Sequence, residues 1–203
     1  MVDCIDKPTI NKIVESAVAL FSLKGYARVS VKEIAEAAGV NIALISYYFG
    51  GKEKLYSYVM EQQLTLFGRQ LEVIRQEQQD PLEKIRCFIQ TAIEVHKKFP
   101  YLNRLLYREL LSPTNCFDEI VKGEAERFHN FLGECIREAI AQGRFRPDLD
   151  IYCATVTLFS MIHFTLFTQC LPDTVLTAKD DREEYYLLQS LEIYLHGVQC
   201  PGA

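Results

Sequence analysis

Residues 30–55 read S-V-K-E-I-A-E-A-A-G-V-N-I-A-L-I-S-Y-Y-F-G-G-K-E-K-L, and the punctuation of that stretch decides the fold. Ser30 and Glu33 have the spacing of a capping box, in which hydroxyl and carboxylate satisfy amides at a helix start. Ile34, Ala35 and Ala38 give the helix an apolar face. Gly39 follows the last periodic residue, where a left-handed backbone angle costs glycine little. Val40 is apolar and Asn41 can cap a second helix, which runs Ile42–Phe49 and stops at Gly50–Gly51. Two short helices about a turn containing Gly form the helix-turn-helix pattern; an ordinary small helical hairpin is the plainer alternative. In the first reading Ala35 is small where two helices cross closely. Val40, Ile45 and Tyr48 then bury against the first helix, while Ile42, Ala43, Ser46 and Tyr47 face outward with Leu44 near the edge.

Working outward, Ile10, Ile13, Val14, Ala17, Leu20 and Phe21 repeat at helical spacing, so Thr9–Lys24 is a supporting helix ended by Gly25. Lys52 begins a long helix to about Gln76, striped with Tyr56, Val59, Met60, Gln63, Leu64, Phe67 and Leu71. No Gly-, Ser- or Pro-rich linker interrupts it, so the soft boundary between a helix-turn-helix domain (1–55) and a larger body (56–203) falls inside a continuous helix. Further helices are predicted over Pro81–Lys98, with Pro in its favoured first turn, and over Tyr101–Leu111, Phe117–Gln142, Ile151–Leu171 and Arg182–His196. Pro172–Lys179 reads as a loop. There is no credible strand and no internal repeat, so the fold class is all-α.

Ile151–Leu171 contains no Asp, Glu, Lys or Arg. By length alone it could span a bilayer. Its Thr155, Thr157, Ser160, His163, Thr165, Thr168 and Gln169, and its lack of strongly basic flanks, favour a helix buried on both sides, shared between a protomer core and a subunit interface. The 203 residues are 49% hydrophobic, which excludes a disordered chain. Net charge is −5, split between +1 over residues 1–55 and −6 over residues 56–203. Phosphate affinity in the first part must therefore come from a few placed cations and helix termini. Met1–Pro8 has charges and no long apolar run, so no signal peptide is expected and the chain reads as cytoplasmic. The seven Cys are odd in number with no C-x-x-C pair; they read as reduced thiols, with a redox sensor or metal site as alternatives. His96, His129, His163 and His196 lack metal-ligand spacing.

Thr9–Leu55 resembles the DNA-binding domain of TetR-family transcriptional regulators. The resemblance runs through Ile13, Ala17, Leu20, Phe21, Gly25–Tyr26, Ser30–Val31, Ile34–Ala35, Ala38–Gly39–Val40, Ser46–Phe49, Lys52–Glu53 and Leu55. The 99–171 stretch, with L-L-Y-R-E-L-L-S-P at 105–113, resembles the regulatory half of CecR-like members. The resemblance implies an N-terminal three-helix reading head joined by a long helix to a helical domain that binds a small-molecule effector and forms a homodimer. In the family the last two long helices, here 148–170 and 182–196, make a four-helix bundle across a two-fold axis. The need for two half-sites is general, because a lone helix-turn-helix buries too little DNA for a specific site. The chain departs from the commonest pattern at Leu44, where Thr is frequent, and at Ser46, where an aromatic is frequent.

The candidate DNA-binding residues are Ser30, Asn41, Ile42, Ala43, Leu44, Ser46, Tyr47, Tyr48 and Lys52, on a double-stranded operator. Ser46 can bond a base edge or phosphate. Ile42, Ala43 and Leu44 can only meet thymine methyls or exclude water. Tyr47 and Tyr48 offer hydroxyls to phosphates, Lys52 at a helix start is the best single phosphate ligand, and Ser30 with its helix amides is a second clamp. Arg28 and Lys32 rank below these. The candidate effector pocket comprises Phe67, Phe88, Phe128, Phe131, Met161 and His163; core filling is the alternative for each. The candidate dimer interface comprises Phe159, Phe167, Leu187, Leu188, Leu191, Tyr194 and Leu195. No H-E-x-x-H, phosphate-loop or dinucleotide motif occurs, so neither an enzyme nor a cofactor is implied. The leading reading is a ligand-responsive dimeric repressor released from a palindromic operator by a small, mostly apolar inducer. A helical protein-binding adaptor with a degenerate helix-turn-helix is the alternative.

Overall fold

Apolar residues at helical spacing, broken by Gly, Pro and capping side chains, organise the chain into α1 (Lys7–Lys24), α2 (Val31–Ala38), α3 (Ile42–Phe49), α4 (Lys52–Gln76), α5 (Pro81–Lys98), α6 (Leu102–Leu111), α7 (Lys122–Ala141), α8 (Ile151–Thr168) and α9 (Glu183–Val198). These come from a computed structural model that describes residues 7–77, 80–168 and 183–200. Among the described residues there is no strand; Phe145 and Gln199 make one isolated antiparallel bridge. The predicted helix from Phe117 opens instead with a π turn, Phe117–Val121, before α7 begins at Lys122. The expected loop at Pro172–Lys179 lies outside the described residues.

The chain forms two compact units. One comprises Met1–Thr65 with Arg104–Lys122; the other comprises Leu66–Asn103 with Gly123–Ala203. The boundary expected near residue 55 is a cut in sequence, whereas the first unit, hereafter the head, also takes in most of α6 and the segment after it.

In the head, α1 packs on α2 and α2 on α3. Ile13, Ala17 and Phe21 of α1, Ile34 and Ala35 of α2, and Ile45 of α3 are buried. Gly39 takes a left-handed φ of 65° at the α2 C-cap, and the following Val40 amide bonds back to the Ala35 carbonyl at 3.0 Å. The rings of Phe21 and Tyr56 meet edge to face with centroids 4.9 Å apart, and Tyr26 lies 4.9 Å from Tyr56. The Tyr56 hydroxyl donates to the Glu109 carboxylate at 2.6 Å. Glu109, 1% exposed, also accepts from the Thr114 amide at 3.1 Å and from the Thr114 hydroxyl. Beside it the Arg108 guanidinium donates to the carbonyls of Ser22 and Leu23 at the end of α1, at 2.9 and 2.7 Å.

In the second unit, Phe67, Phe88, Phe128 and Phe131 are buried against one another, with centroids 4.5 Å apart for the tilted Phe67–Phe128 pair and 5.7 Å for the stacked Phe88–Phe131 pair. Asp80 caps α5 by accepting from the Leu82 amide, with Pro81 in the first turn. Helix α8 packs against α5 and α9. Its buried positions Ala154, Leu158, Ile162 and Leu166 recur every fourth residue, which is one helical stripe. Among the described residues α8 is the one helix long and apolar enough to cross a membrane, by length and composition.

Gly25 has φ 81° and ψ 157°, a conformation that residues with a Cβ strongly avoid. An added Cβ would also sit 3.0 Å from Arg108 Nη1. Gly25→Ala is expected to destabilise the chain by about 1–3 kcal/mol, read from the midpoint shift in urea unfolding followed by circular dichroism.

Candidate nucleic-acid interface and effector site

Each end of the two short helices is set by local chemistry. Ser30 Oγ accepts from the Glu33 amide at 3.1 Å, capping α2. Only this half of the capping box forms, because the Glu33 carboxylate pairs with Lys24 instead; that ion pair holds the Glu33 carboxyl below its ordinary range. Asn41 Oδ1 accepts from the Ala43 amide at 2.8 Å, capping α3, and Gly50 closes α3 in a left-handed conformation. Ile45 is fully buried, Val40, Leu44 and Tyr48 are half-buried, and Ala43 and Ser46 are exposed. Ile42 is 49% and Tyr47 73% exposed. The outward face of α3 is thus two apolar side chains, one hydroxyl and one phenol. Tyr47 and Tyr48 pack edge to face with centroids 5.0 Å apart.

The nearby cations differ in their engagement. Lys24 pairs with Glu33, and Lys32 lies 3.8 Å from Glu36. Arg28 is exposed. The Lys52 ammonium lies 4.1 Å from the centre of the Tyr26 ring. It makes no ion pair among the described residues, and partial burial lowers its pKa. Tyr26, Arg108 and Glu109 are not among the candidate site residues of the sequence. Glu109 could have been, since it continues the Leu102–Leu105 stripe at helical spacing and is buried with them.

The predicted pocket residues fall into two groups. The four phenylalanines fill one another's space. Met161 and His163 lie half-buried on α8. His163 packs at a tilt against Phe159 with centroids 4.2 Å apart, and its buried Nε2 has no hydrogen-bond partner among the described residues. A cavity of about 660 Å³ in the head lies among Tyr26, Arg28, Glu53, Tyr56, Arg108 and Asn115, and none of the predicted pocket residues lines it. Of the predicted interface residues, Leu187, Leu191, Tyr194 and Leu195 are buried within the protomer, and the Tyr194 hydroxyl donates to the Ala154 carbonyl at 3.0 Å. Phe159, Phe167 and Leu188 are half-buried. The exposed large apolar side chains on these helices are instead Tyr152, Val156, Phe164, Tyr185, Tyr186 and Ile193, because the densest stripe of α9 is used against its own unit. Burial pushes the Cys116 and Cys135 thiols up to about 12, which keeps both protonated and unreactive at neutral pH.

Residues 13–59 match the model of the tetR family of bacterial regulatory proteins, and residues 74–191 match that of the C-terminal domain of the HTH-type transcriptional dual regulator CecR. The chain belongs to the TetR family of transcriptional regulators. It is 34% identical over 115 residues to the probable HTH-type transcriptional regulator YttP of Bacillus subtilis, a match covering 56% of this chain and 56% of that protein. Among solved structures it resembles the ketosteroid transcriptional regulator KstR2 of Mycobacterium tuberculosis, with a TM-score of 0.80 over 99% of this chain and 98% of that one at 18% identity. AibR, solved in complex with isovaleryl coenzyme A and operator DNA, has a TM-score of 0.74 over 91% of this chain and 97% of its own, at 21% identity. At such identities the likeness is one of fold.

Burial holds the His163 pKa down to about 4 from its ordinary 6.5. The unfolded chain therefore takes up a proton between these values that the folded chain refuses. Stability falls as pH drops through this window and is recovered above it. Between pH 7 and 4.5 the wild type is expected to lose about 2–3 kcal/mol more than His163→Leu, measured by urea unfolding of both proteins at each pH.

Proposed function

We propose that this chain is a dimeric, ligand-responsive transcriptional repressor of bacterial type, working in the cytoplasm and reading a palindromic operator with α3. The observation that carries the reading is the solvent-facing surface of Ile42, Ala43, Ser46 and Tyr47, on a helix closed by its own caps in a segment that matches the family's DNA-binding model. Side chains of this kind meet thymine methyls and phosphates. Lys52 and Ser30 supply backbone contacts on either side, with Asn41, Leu44 and Tyr48 at the margin of the groove. The recognition helix has no Arg for bidentate guanine reading, so the operator should carry thymines at central positions.

The exposed apolar side chains of the charge-free α8 and of α9, namely Tyr152, Val156, Phe164, Tyr185, Tyr186 and Ile193, support dimerisation there, since an exposed apolar surface is a candidate association site. The half-buried Phe159, Phe167 and Leu188 would complete it. The effector site is assigned to the unit of Leu66–Asn103 and Gly123–Ala203, with Met161, His163 and the phenylalanine cluster as its candidate contacts. The surroundings are apolar, so a small, mostly apolar inducer fits. AibR was solved in complex with isovaleryl coenzyme A and operator DNA, so this fold is known with an acyl-bearing small molecule bound. Ligand and DNA would bias one two-state equilibrium, and the shift can be no larger than the ligand's difference in affinity for the two states. The exposed Ile42 and Tyr47 also suit a protein-binding adaptor, the second reading.

Selection of random-sequence duplexes on the purified protein at several salt concentrations separates the two. The expected result is a near-palindromic site whose affinity falls steeply with salt. Lys52→Ala should flatten the salt slope by about one, and Tyr47→Ala should weaken binding with the fold intact. Recovery of no sequence at low salt would sink the repressor reading in favour of the adaptor.

A further inference from the structure

Lys52 occupies the first position of α4, where the partial positive charge of a helix N-terminus disfavours an ammonium. No carboxylate among the described residues forms an ion pair with this ammonium. The first-turn carboxylate, Glu53, accepts a hydrogen bond from Asn115 at 2.7 Å. What meets the Lys52 ammonium is the face of Tyr26, 4.1 Å away, well inside the range of a cation–π contact. The ring is itself held: it lies 6.0 Å from Phe21 and 4.9 Å from Tyr56, and it sits in the 3-10 turn that follows Gly25. Lys24 and Lys32, by contrast, face carboxylates. A carboxylate neutralises a lysine that is to meet a phosphate. An aromatic face fixes its position and leaves its full charge facing outward.

We infer that Tyr26 is a positioning residue for DNA binding, its ring holding the Lys52 ammonium in place for a backbone phosphate and its hydroxyl being dispensable. This rests on the reading of Lys52 as a phosphate ligand. A flexible lysine loses side-chain freedom when it binds; one already held over a ring loses less.

The test is a double-mutant cycle on the duplex recovered by the selection above, using the full chain. Tyr26→Phe should bind as wild type does. Tyr26→Leu should lose about fivefold in affinity, and that loss should vanish in a Lys52→Ala background. An equal loss in both backgrounds would overturn the inference, since Tyr26 would then act only through the packing of the head. No effect of Lys52→Ala alone would instead overturn the phosphate assignment on which it rests. In case Tyr26→Leu does not fold, the Lys52 side-chain methylene protons of the wild-type protein give an independent readout. They should resonate upfield of the other lysines because of the Tyr26 ring current, and should stay upfield in Tyr26→Phe, which keeps the ring. Ordinary lysine shifts in the wild type would refute the contact.

Discussion

The construction of the head depends on a carboxylate that is almost wholly buried. Glu109 is 1% exposed and accepts from the Tyr56 hydroxyl and from both donors of Thr114. A buried acidic group without such partners would cost several kcal/mol, so the bonds are obligatory once the site closes. They tie the first turns of α4 to α6 and to the segment after it. Arg108, the preceding residue, ties α6 to the last carbonyls of α1, groups that a helix end otherwise leaves to water. These two adjacent residues explain why Arg104–Lys122 folds with the amino-terminal unit, although residues 66–103 separate it from that unit's first segment in the chain.

The same part of the head brings rings and cations together. Burial and the Glu109 bond raise the Tyr56 hydroxyl pKa strongly, so it stays a donor at any working pH. Tyr26, on the same cluster, lies closer to solvent and faces Lys52. One aromatic wedge therefore has two uses, closing the core on one side and arranging the charged edge of the proposed DNA surface on the other. On α3 the division is sharper. Ile45 anchors the helix, and everything exposed around it is free to meet another molecule.

The regulatory unit illustrates how an apolar sequence serves competing purposes. Helix α9 carries apolar residues on more than one face, and Leu187, Leu191, Tyr194 and Leu195 were expected between subunits. They are buried within the protomer, since a densely apolar stripe is first taken up by the nearest apolar surface of its own chain. Tyr186 and Ile193, set apart on the helix, remain outside. Helix α8 has the same double character without any charge, so hydropathy reports that it is apolar but not which side faces what.

What the sequence determined by itself is everything governed by neighbours along the chain. The ends of α3 at Ile42 and Phe49 follow from Asn41 and Gly50, the start of α5 follows from Asp80 and Pro81, and the exposed set on α3 follows from its helical period. The family was legible for the same reason, because its motif is largely a pattern of caps, turns and period. The tertiary structure alone decided the pairings between distant residues: Tyr56 with Glu109, 53 positions apart, Arg108 with the end of α1, Lys52 with Tyr26, and Glu33 with Lys24 rather than with its own cap. Local spacing specifies which way a side chain points from its helix. It does not specify which other element arrives there, since that depends on how all the buried surfaces are satisfied at once.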